Sequence, residues 1–350
     1  MEELVLVGGG VAGLSCLNAL LDRGVSPLLL EASTIGTPKM CGEFLAPPAV
    51  SVLEQWGIGP MPAVKQVHFL GNKHALQVAF TRPAAAFARH QVEIDLAARA
   101  EQKGGRIILR SPIQRITPAT ERSPYLLHLA SGDTIQAQHV IFATGAFSQG
   151  ILSPGAPKYM GFKTHIQHVA HPETLLMLSL VGGYLGLVPI SSETSNVTCL
   201  MKKELVDKAG GRAAFLTHLL NVNGPLKQCL NQVDLNAHPW LEGAAPGFGL
   251  KTIPSWPRAY WIGDALASIH PAIGYGFAHS VNSAMLAADC YLQQDALCYH
   301  QLMKRPMRFK LMASQSIHHL LQKPRLCGLM SPLIEKNHWI SHLLLKKLDY

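Results

Sequence analysis

The chain has 350 residues, of which 48% are hydrophobic and 15% are charged, so it has enough apolar sequence to bury a sizeable core. This composition excludes an intrinsically disordered chain and a small disulfide-stabilised scaffold. The formal net charge is +8, but the last 50 residues alone hold nine Lys and Arg against two acidic residues, which leaves the rest almost neutral. We therefore expect no nucleic-acid partner.

The cysteine pattern and the apolar runs bear on the compartment. The seven cysteines are scattered, without CxxC or Cys/His metal spacing, so we expect neither disulfides nor a metal site, and we expect a reducing, cytoplasmic compartment. The apolar run Leu4–Val7 leads into glycines instead of a cleavage site, which argues against a signal peptide. The uncharged run Thr174–Ser192 contains three glycines and a proline, which favour a buried pair of strands over a membrane-spanning helix.

The first predicted elements form a strand, a glycine turn and a helix. Leu4–Val7 is typical of a short buried parallel strand, and Leu14–Asp22 is typical of a helix closed by Gly24. The turn between them has the pattern GxGxxG, whose glycines allow a tight turn, a close approach to a pyrophosphate and close packing of the helix on the strand. The positive end of the helix dipole would then face the phosphates. The predicted phosphate-binding residues are Gly8, Gly10, Val11, Ala12 and Gly13.

A second predicted strand, Leu28–Leu30, is followed by Glu31 and Ala32, which we also predict to bind the cofactor. The Glu31 carboxylate is placed to accept hydrogen bonds from a ribose, and an acid there disfavours a 2′-phosphate, so the dinucleotide is FAD or NAD rather than NADP. An NAD dehydrogenase would continue with strand–helix units, whereas this chain continues with a loop over Lys39–Pro47. This difference favours FAD.

A further nucleotide-binding signal occurs late in the chain. A predicted strand from Tyr260 runs into a Gly-Asp turn, and a helix is predicted over Phe277–Tyr291. The acid of that turn can accept hydrogen bonds from a ribityl hydroxyl, and the helix N-terminus would stabilise negative charge on a reduced flavin. The predicted cofactor-binding residues of this region are Gly263, Asp264, Pro271, Gly274 and Gly276.

Together these stretches resemble the FAD-dependent oxidoreductases of the p-hydroxybenzoate-hydroxylase fold, and within them the branch that contains the geranylgeranyl reductases. Arg89–Ala100 resembles the R-x-x-L-D-x-x-L helix of the family, with Glu93 where Asp is usual, which implies that Arg89 contacts FAD. Val140–Gly145 resembles the apolar strand that ends in Ala-Thr-Gly beside the adenine half of FAD. Gly183–Leu187 resembles a G-Y-x-G segment that faces the flavin. The strand end adds Ala143, Thr144 and Gly145 to the predicted cofactor site.

The resemblance implies an α/β fold in which a Rossmann-like FAD-binding domain is interleaved with a mixed β-sheet substrate domain. The expected FAD-binding domain comprises residues 1–65, 85–150 and 250–295. The expected substrate domain comprises residues 66–84 and 151–249, and a helical region covers residues 296–350. No His or Cys lies in an evident flavinylation motif, so we expect non-covalent FAD, with NAD(P)H as a candidate electron donor.

Departures from the family patterns bear on the chemistry. The Asp-Gly pair of the aromatic hydroxylases is replaced by Thr144-Gly145, and Trp256 alone remains of the halogenase segment Trp-x-Trp-x-Ile-Pro. Both differences argue against those two activities. Cys41-Gly42-Glu43 instead resembles a motif of the geranylgeranyl-reductase branch, where the cysteine faces the flavin. A thiol there could donate a proton while the flavin delivers hydride to a carbon–carbon double bond.

Five candidate residues therefore keep two interpretations each. Cys41 is a catalytic proton donor or a small buried hydrophobic residue, and Glu43 contacts the substrate or orients its own loop. His270 is a catalytic acid or base, or a structural histidine. Tyr184 and Tyr275 contact the substrate or fill the pocket.

The basic C-terminal region alternates apolar and basic residues at near-helical spacing. We predict helices packed on the substrate domain with solvated lysines; the alternative is peripheral contact with an anionic membrane surface. For the whole protein we predict reduction of an isoprenoid-like or polyketide-like double bond in a lipophilic small molecule. The alternatives are an FAD-dependent monooxygenase acting on an aromatic or polyketide-like substrate, and an FAD-binding protein without catalysis.

Overall fold

The computed structural model describes residues 1–71, 75–146, 157–169, 171–222, 230, 233–245, 247–336 and 345–347. In chain order its strands are β1 (Glu2–Val7), β2 (Leu28–Leu30), β3 (Phe44–Leu45), β4 (Ala63–Leu70), β5 (Ala75–Ala86), β6 (Arg106–Ile108), β7 (Ile113–Thr117), β8 (Tyr125–Leu129), β9 (Thr134–Phe142), β10 (Tyr159–Ile166), β11 (Thr174–Leu180), β12 (Gly183–Pro189), β13 (Ser195–Lys202), β14 (Leu241–Ala244), β15 (Gly249–Leu250), β16 (Ala259–Trp261) and β17 (Ala267–Ser268). Its helices are α1 (Val11–Asp22), α2 (Pro47–Gln55), α3 (Arg89–Gln102), α4 (Lys203–Lys208), α5 (Arg212–Val222), α6 (Gly276–Leu292), α7 (Ala296–Leu321) and α8 (Pro324–Lys336).

The first sheet carries the predicted nucleotide-binding strands. Its order is β6-β2-β1-β9-β8-β7, with β16 also paired to β9. β1 runs parallel to β2 and β9, and its residues Leu4–Val7 are buried, which explains their continuous apolar run. α1 packs against both α3 and α6. The predicted first strand and helix are confirmed, although α1 begins three residues earlier than expected, at Val11.

The second sheet has eight strands in the order β14-β10-β13-β12-β11-β4-β5-β3. Neighbouring strands are antiparallel except for β11 and β4, which are parallel. The uncharged run Thr174–Ser192 forms the buried hairpin β11–β12, as predicted from its composition. Across the described ranges, no helix is long and apolar enough to cross a membrane.

The predicted fold class, a Rossmann-like unit interleaved with a mixed sheet and followed by helices, is confirmed. The two sheets largely follow the expected chain segments. The exceptions are β3, the start of β4 and the end of β5, which lie in the second sheet although they belong to segments assigned to the FAD-binding domain. The domain boundaries themselves stay a prediction.

The C-terminal helices pack on the body of the protein. α7 buries a stripe at spacings of three and four residues, which consists of Tyr299, Met303, Met307, Lys310, Ser314, His318 and Leu321. The short segment 345–347 reaches α7, where Lys347 Nζ lies 5.6 Å from the Phe309 ring centre. Other apolar tail residues named by the sequence pattern lie outside the described residues, namely Trp339, Ile340, Leu343, Leu344 and Leu348.

Candidate functional site

A cavity of about 1300 Å³ lies between the two sheets, at the carboxyl ends of β1, β2 and β9. Pockets for one small ligand span about 300–1,000 Å³, so this cavity has room for a dinucleotide together with a substrate. All of the predicted site residues line it except Gly13, Gly263, His270 and Tyr275. The structure therefore brings together residues from the start, middle and end of the chain.

Two glycines of the GxGxxG segment after β1, Gly8 and Gly13, leave no room for a side chain. Gly8 has φ +111°, and a Cβ there would lie 2.4 Å from the Ala143 carbonyl oxygen. A Cβ on Gly13 would lie 1.8 Å from the Gly8 carbonyl oxygen, so Gly13 sets the close packing of α1 on β1 without lining the cavity. Gly10 is the N-cap residue of α1 and has no side chain to cap it. These features fit a pyrophosphate at the helix N-terminus.

Glu31 is held beside this turn as a carboxylate. Its Oε2 accepts a hydrogen bond from the Gly9 N–H at 2.5 Å, and its Oε1 accepts from the Ser33 N–H at 2.9 Å and hydroxyl at 2.7 Å. Burial acts to raise the pKa of Glu31, but these hydrogen bonds outweigh burial and lower it. The side chain lines the cavity as an ionised acceptor, which suits a ribose hydroxyl pair.

The Gly-Asp turn packs against the start of α1, where a Cβ on Gly263 would lie 2.8 Å from Ala12 Cβ, and it is fixed to α6. The Gly263 N–H donates to Ser283 Oγ at 2.9 Å, and the Gly263 carbonyl lies 2.9 Å from His279 Nε2. Asp264 faces the cavity; burial raises its pKa, although Arg89 and Lys251 act in the opposite direction. Gly263 does not line the cavity, and its φ of +57° places it in the left-handed region that the turn requires.

Arg89 begins α3 and presents its guanidinium at the cavity wall. Its Nε donates to Oε1 of the buried Glu93 at 2.9 Å, and Lys39 Nζ lies 3.2 Å from Glu93 Oε2. Glu93, which replaces the usual Asp of the family motif, thus orients both cations. Such an arrangement can hold an anionic or hydroxyl-rich ligand at the cavity.

We call residues 39–43 the cysteine loop; all five line the cavity. Cys41 is half-buried, and its Sγ accepts a hydrogen bond from the Glu43 N–H at 3.3 Å. Burial raises the pKa of the Cys41 thiol, with Arg89 opposing and Glu43 adding to this effect. The sulfur is therefore a protonated thiol at neutral pH.

The carboxylate of Glu43 is fully buried at the cavity wall. This position is compatible with both predicted roles, which are contact with a substrate and orientation of its own loop. The carboxylate accepts the Arg89 N–H at 2.8 Å, and it also contacts Lys163 Nζ at 2.5 Å and His165 Nε2 at 2.6 Å. Burial acts to raise the pKa of Glu43, but the His165 and Lys163 contacts outweigh it and lower the pKa. Sequence reasoning missed Lys163 and His165, which lie two positions apart on β10.

Two candidates for substrate chemistry lie behind the cavity wall instead of on it. The buried His270 ring stacks on Phe248 and on His318, each at 3.8 Å between ring centres. Burial, with smaller effects of His318 and His319, lowers the pKa of His270 to about 3, so this histidine is neutral. Tyr275 is 1% exposed and its hydroxyl contacts Lys310. Because His270 and Tyr275 are next to Pro271 and Gly274 in the sequence, we predicted that they contact the cavity. Both side chains instead point into the core beneath α7.

The second sheet gives the cavity an apolar wall. Tyr184 lines it, with its ring edge-on to His318 at 5.8 Å, and burial raises the pKa of its hydroxyl. The neighbouring wall residues are Leu175, Met177, Leu200 and Phe248. Within the described ranges, no group of three or more side chains is arranged to hold a metal ion. This part of the cavity suits a lipophilic molecule.

Sequence comparison finds no matching family model. The menaquinone reductase of Mycobacterium tuberculosis is 28% identical over 155 residues, which cover 42% of this chain and 38% of the relative's length. The chain therefore matches about two fifths of that relative. The menaquinone reductase of Mycolicibacterium smegmatis is 20% identical over 334 residues, which cover 82% of this chain and 75% of the relative.

Several solved structures of other proteins align with nearly the whole chain. A geranylgeranyl bacteriochlorophyll reductase-like protein from Thermoplasma acidophilum has a TM-score of 0.75 at 19% identity, covering 92% of this chain and 88% of the other. The flavin-dependent brominase Bmp2 has a TM-score of 0.80 at 16% identity, with 98% and 93% covered. PqsL from Pseudomonas aeruginosa, a probable FAD-dependent monooxygenase, has a TM-score of 0.78 at 12% identity, with 93% and 98% covered. The chain has the fold of the FAD-dependent oxidoreductases of the p-hydroxybenzoate-hydroxylase type.

Proposed function

We propose that the protein is an FAD-dependent oxidoreductase that reduces a carbon–carbon double bond in a lipophilic, isoprenoid-like or polyketide-like molecule. The observation that carries this proposal is a single cavity that joins the glycine turn, the cysteine loop and an apolar wall. Relatives named menaquinone reductase and a geranylgeranyl reductase-like neighbour support the same reaction type.

The residues present fit FAD without a covalent link. The N-terminus of α1 would hold the pyrophosphate and Glu31 the adenosine ribose. Arg89 and Asp264 would contact the remaining phosphate and ribityl groups, and the N-terminus of α6 would stabilise negative charge on the ring. Gly8 and Gly13 allow β1, α1 and the end of β9 to pack closely, and this packing brings the N-terminus of α1 to the cavity where the pyrophosphate would lie.

Bound FAD would supply hydride, and the chain's own residues would supply the rest of the reaction. The apolar wall binds the hydrophobic part of a substrate and excludes water. The Cys41 thiol, protonated because of its raised pKa, holds a proton at the cavity. Tyr184 borders the same wall and shapes the pocket.

The decisive experiment is anaerobic turnover by the purified full-length protein. We expect bound FAD in the visible absorption spectrum. After reduction by dithionite and reoxidation of the quinone ring in air, we expect the isoprenoid side chain of a menaquinone to retain two added hydrogens by mass spectrometry. NADH and NADPH, tested in place of dithionite, would show whether either serves as the electron donor. Cys41→Ala is expected to lower turnover while it leaves FAD bound, with Cys298→Ala on α7 as the matched control. Absence of bound FAD, or no gain of hydrogens by any isoprenoid or polyketide substrate, would contradict the proposal.

The resemblance to PqsL favours one alternative, a monooxygenase that hydroxylates an aromatic or polyketide-like substrate. Labelled dioxygen separates the two reactions, because only a monooxygenase incorporates an oxygen atom into its product. An FAD-loaded protein that catalyses neither reaction would instead match the third possibility, a binding protein.

A further inference from the structure

The cysteine loop forms cavity wall without helix or strand structure of its own. A segment of this kind is ordinarily among the more mobile parts of a protein. Here side chains from the second sheet hold it. The Cys41 carbonyl accepts hydrogen bonds from Asn196 Nδ2 at 3.2 Å and from Thr198 Oγ1 at 3.3 Å, both on β13. The main chain beside the thiol is therefore tied to the sheet that faces it.

The strongest contacts come from β10. Lys163 and His165 lie two positions apart, so their side chains leave the same face of the strand, toward the loop. Both meet the carboxylate of Glu43, at 2.5 Å and 2.6 Å. Lys163 is 4% exposed and Glu43 is fully buried, so this contact is screened little by solvent. Loss of one partner would leave a buried charge uncompensated.

The backbone of Glu43 is a second, independent sign that the loop is held in place. Its φ of +55° lies in the left-handed region, which is unfavourable for a residue with a Cβ. Such a conformation persists where the surrounding contacts determine it, and it often occurs beside functional sites. The side chain of this same residue receives Lys163, His165 and the Arg89 N–H.

Packing of the adjacent Met40 agrees with this arrangement. A Cβ on Gly161 of β10 would lie 2.8 Å from Met40 Cε, so the strand carries a glycine where the loop rests on it. β10 thus provides both the space for the loop and the two side chains, Lys163 and His165, that hold it in place.

We infer that Lys163 and His165 are positioning residues, which act through Glu43 to hold the Cys41 thiol and its backbone at a fixed place in the cavity wall. Their catalytic meaning rests on the proposed function, in which that thiol faces the reacting centre. The contacts of Lys163 and His165 with Glu43 form between residues of the protein itself and do not depend on a bound ligand. The inference adds two residues of the substrate-side sheet to the machinery of the cysteine loop.

The test is amide hydrogen exchange by mass spectrometry on the full-length protein as purified. In Lys163→Met and in His165→Leu, we expect peptides that cover residues 39–46 to exchange on the order of tenfold faster, because a buried carboxylate loses a partner and local opening becomes easier. Peptides from the hairpin β11–β12 should keep their exchange rate. Lys163→Arg retains the charge and should restore slow exchange.

The matched control is Lys65→Met on β4, which removes an exposed ion pair of 2.7 Å with Glu173 and should leave the loop unchanged. A double variant, E43Q/K163M, removes both buried charges and should exchange more slowly than Lys163→Met alone. Unchanged loop exchange in both single variants would overturn the inference, and so would equal acceleration of the loop and of the β11–β12 hairpin. Hydrogen exchange can be measured without turnover or bound FAD. A protein that binds no FAD would therefore contradict the proposed function, whereas the exchange rates would still test the roles of Lys163 and His165.

Discussion

At the scale of single residues, the sequence predicted which glycines and acids meet at the cavity better than it predicted the other polar side chains around it. The glycine turn, Glu31 and Asp264 follow patterns whose spacing is set by backbone geometry, and the structure brings them to one cavity. Lys163 and His165 were missed because their partner Glu43 lies about 120 residues away, and no local pattern encodes such a pairing. The position of His270 next to Pro271 in the sequence did not predict where its side chain lies, because side chains of neighbouring residues can point to opposite sides of the backbone.

The glycine turn yields a prediction at Gly13. A methyl group there would collide with the Gly8 carbonyl, so we expect Gly13→Ala to destabilise the protein by about 1–3 kcal/mol, as overpacking does, and to abolish FAD binding. Urea unfolding and FAD fluorescence titration measure the two effects. Gly247→Ala is the matched control, because a Cβ at that position meets no atom within 4 Å. Tight FAD binding by Gly13→Ala would contradict the assigned role of the turn.

At the scale of elements, apolar periodicity predicted β1, α1 and the β11–β12 hairpin, but it could not describe α7. The buried stripe of that helix includes Lys310, Ser314 and His318, which a hydrophobic pattern assigns to the solvent face. These polar residues are buried because they find partners in the folded chain. Lys310, for example, contacts the Tyr275 hydroxyl and lies 3.7 Å from the centre of its ring.

Two neighbouring side chains of α7, Tyr299 and His300, form hydrogen bonds to carbonyl groups of β16 in the first sheet. The hydroxyl of the buried Tyr299 donates to the Trp261 carbonyl of β16 at 2.7 Å. We expect Tyr299→Phe to lower the free energy of unfolding by about 1–3 kcal/mol, because a buried carbonyl would lose its partner. Urea unfolding checks this, with Ser316→Ala on the exposed side of α7 as the control. A Tyr299→Phe variant as stable as the unaltered protein would show that the carbonyl finds another donor.

At the scale of the whole molecule, the buried histidines set how stability depends on pH. The pKa is lowered to about 3 for His270, and to about 4 for His318 and His279, in each case chiefly by burial. The unfolded chain binds protons at these residues below a pH of about 6.5, whereas the folded chain stays neutral there. Their contribution to stability is therefore complete above that pH and is lost progressively down to a pH of about 3.

We accordingly expect the thermal unfolding midpoint to fall as the pH is lowered from 7.5 to 5. Each of these histidines costs about 2 kcal/mol at pH 5 relative to neutral pH, so His270→Phe should make the fall less steep. Differential scanning fluorimetry across this pH range measures it. His218→Gln, at an exposed position on α5, should leave the slope unchanged. An equally steep fall in His270→Phe would mean that this histidine is protonated in the folded state.

The pairing of β9 with both β1 and β16 has a consequence for how the protein is made. Val140 of β9 lies opposite Val5 on one side and Ala259 on the other, so three distant parts of the chain meet in one sheet. Contacts of such large sequence separation form slowly. During synthesis from the N-terminus, the glycine turn emerges long before Asp264 and α6, and the candidate cofactor site is complete only when about four fifths of the chain has been made. FAD would then be acquired late, as a ligand of the nearly finished protein.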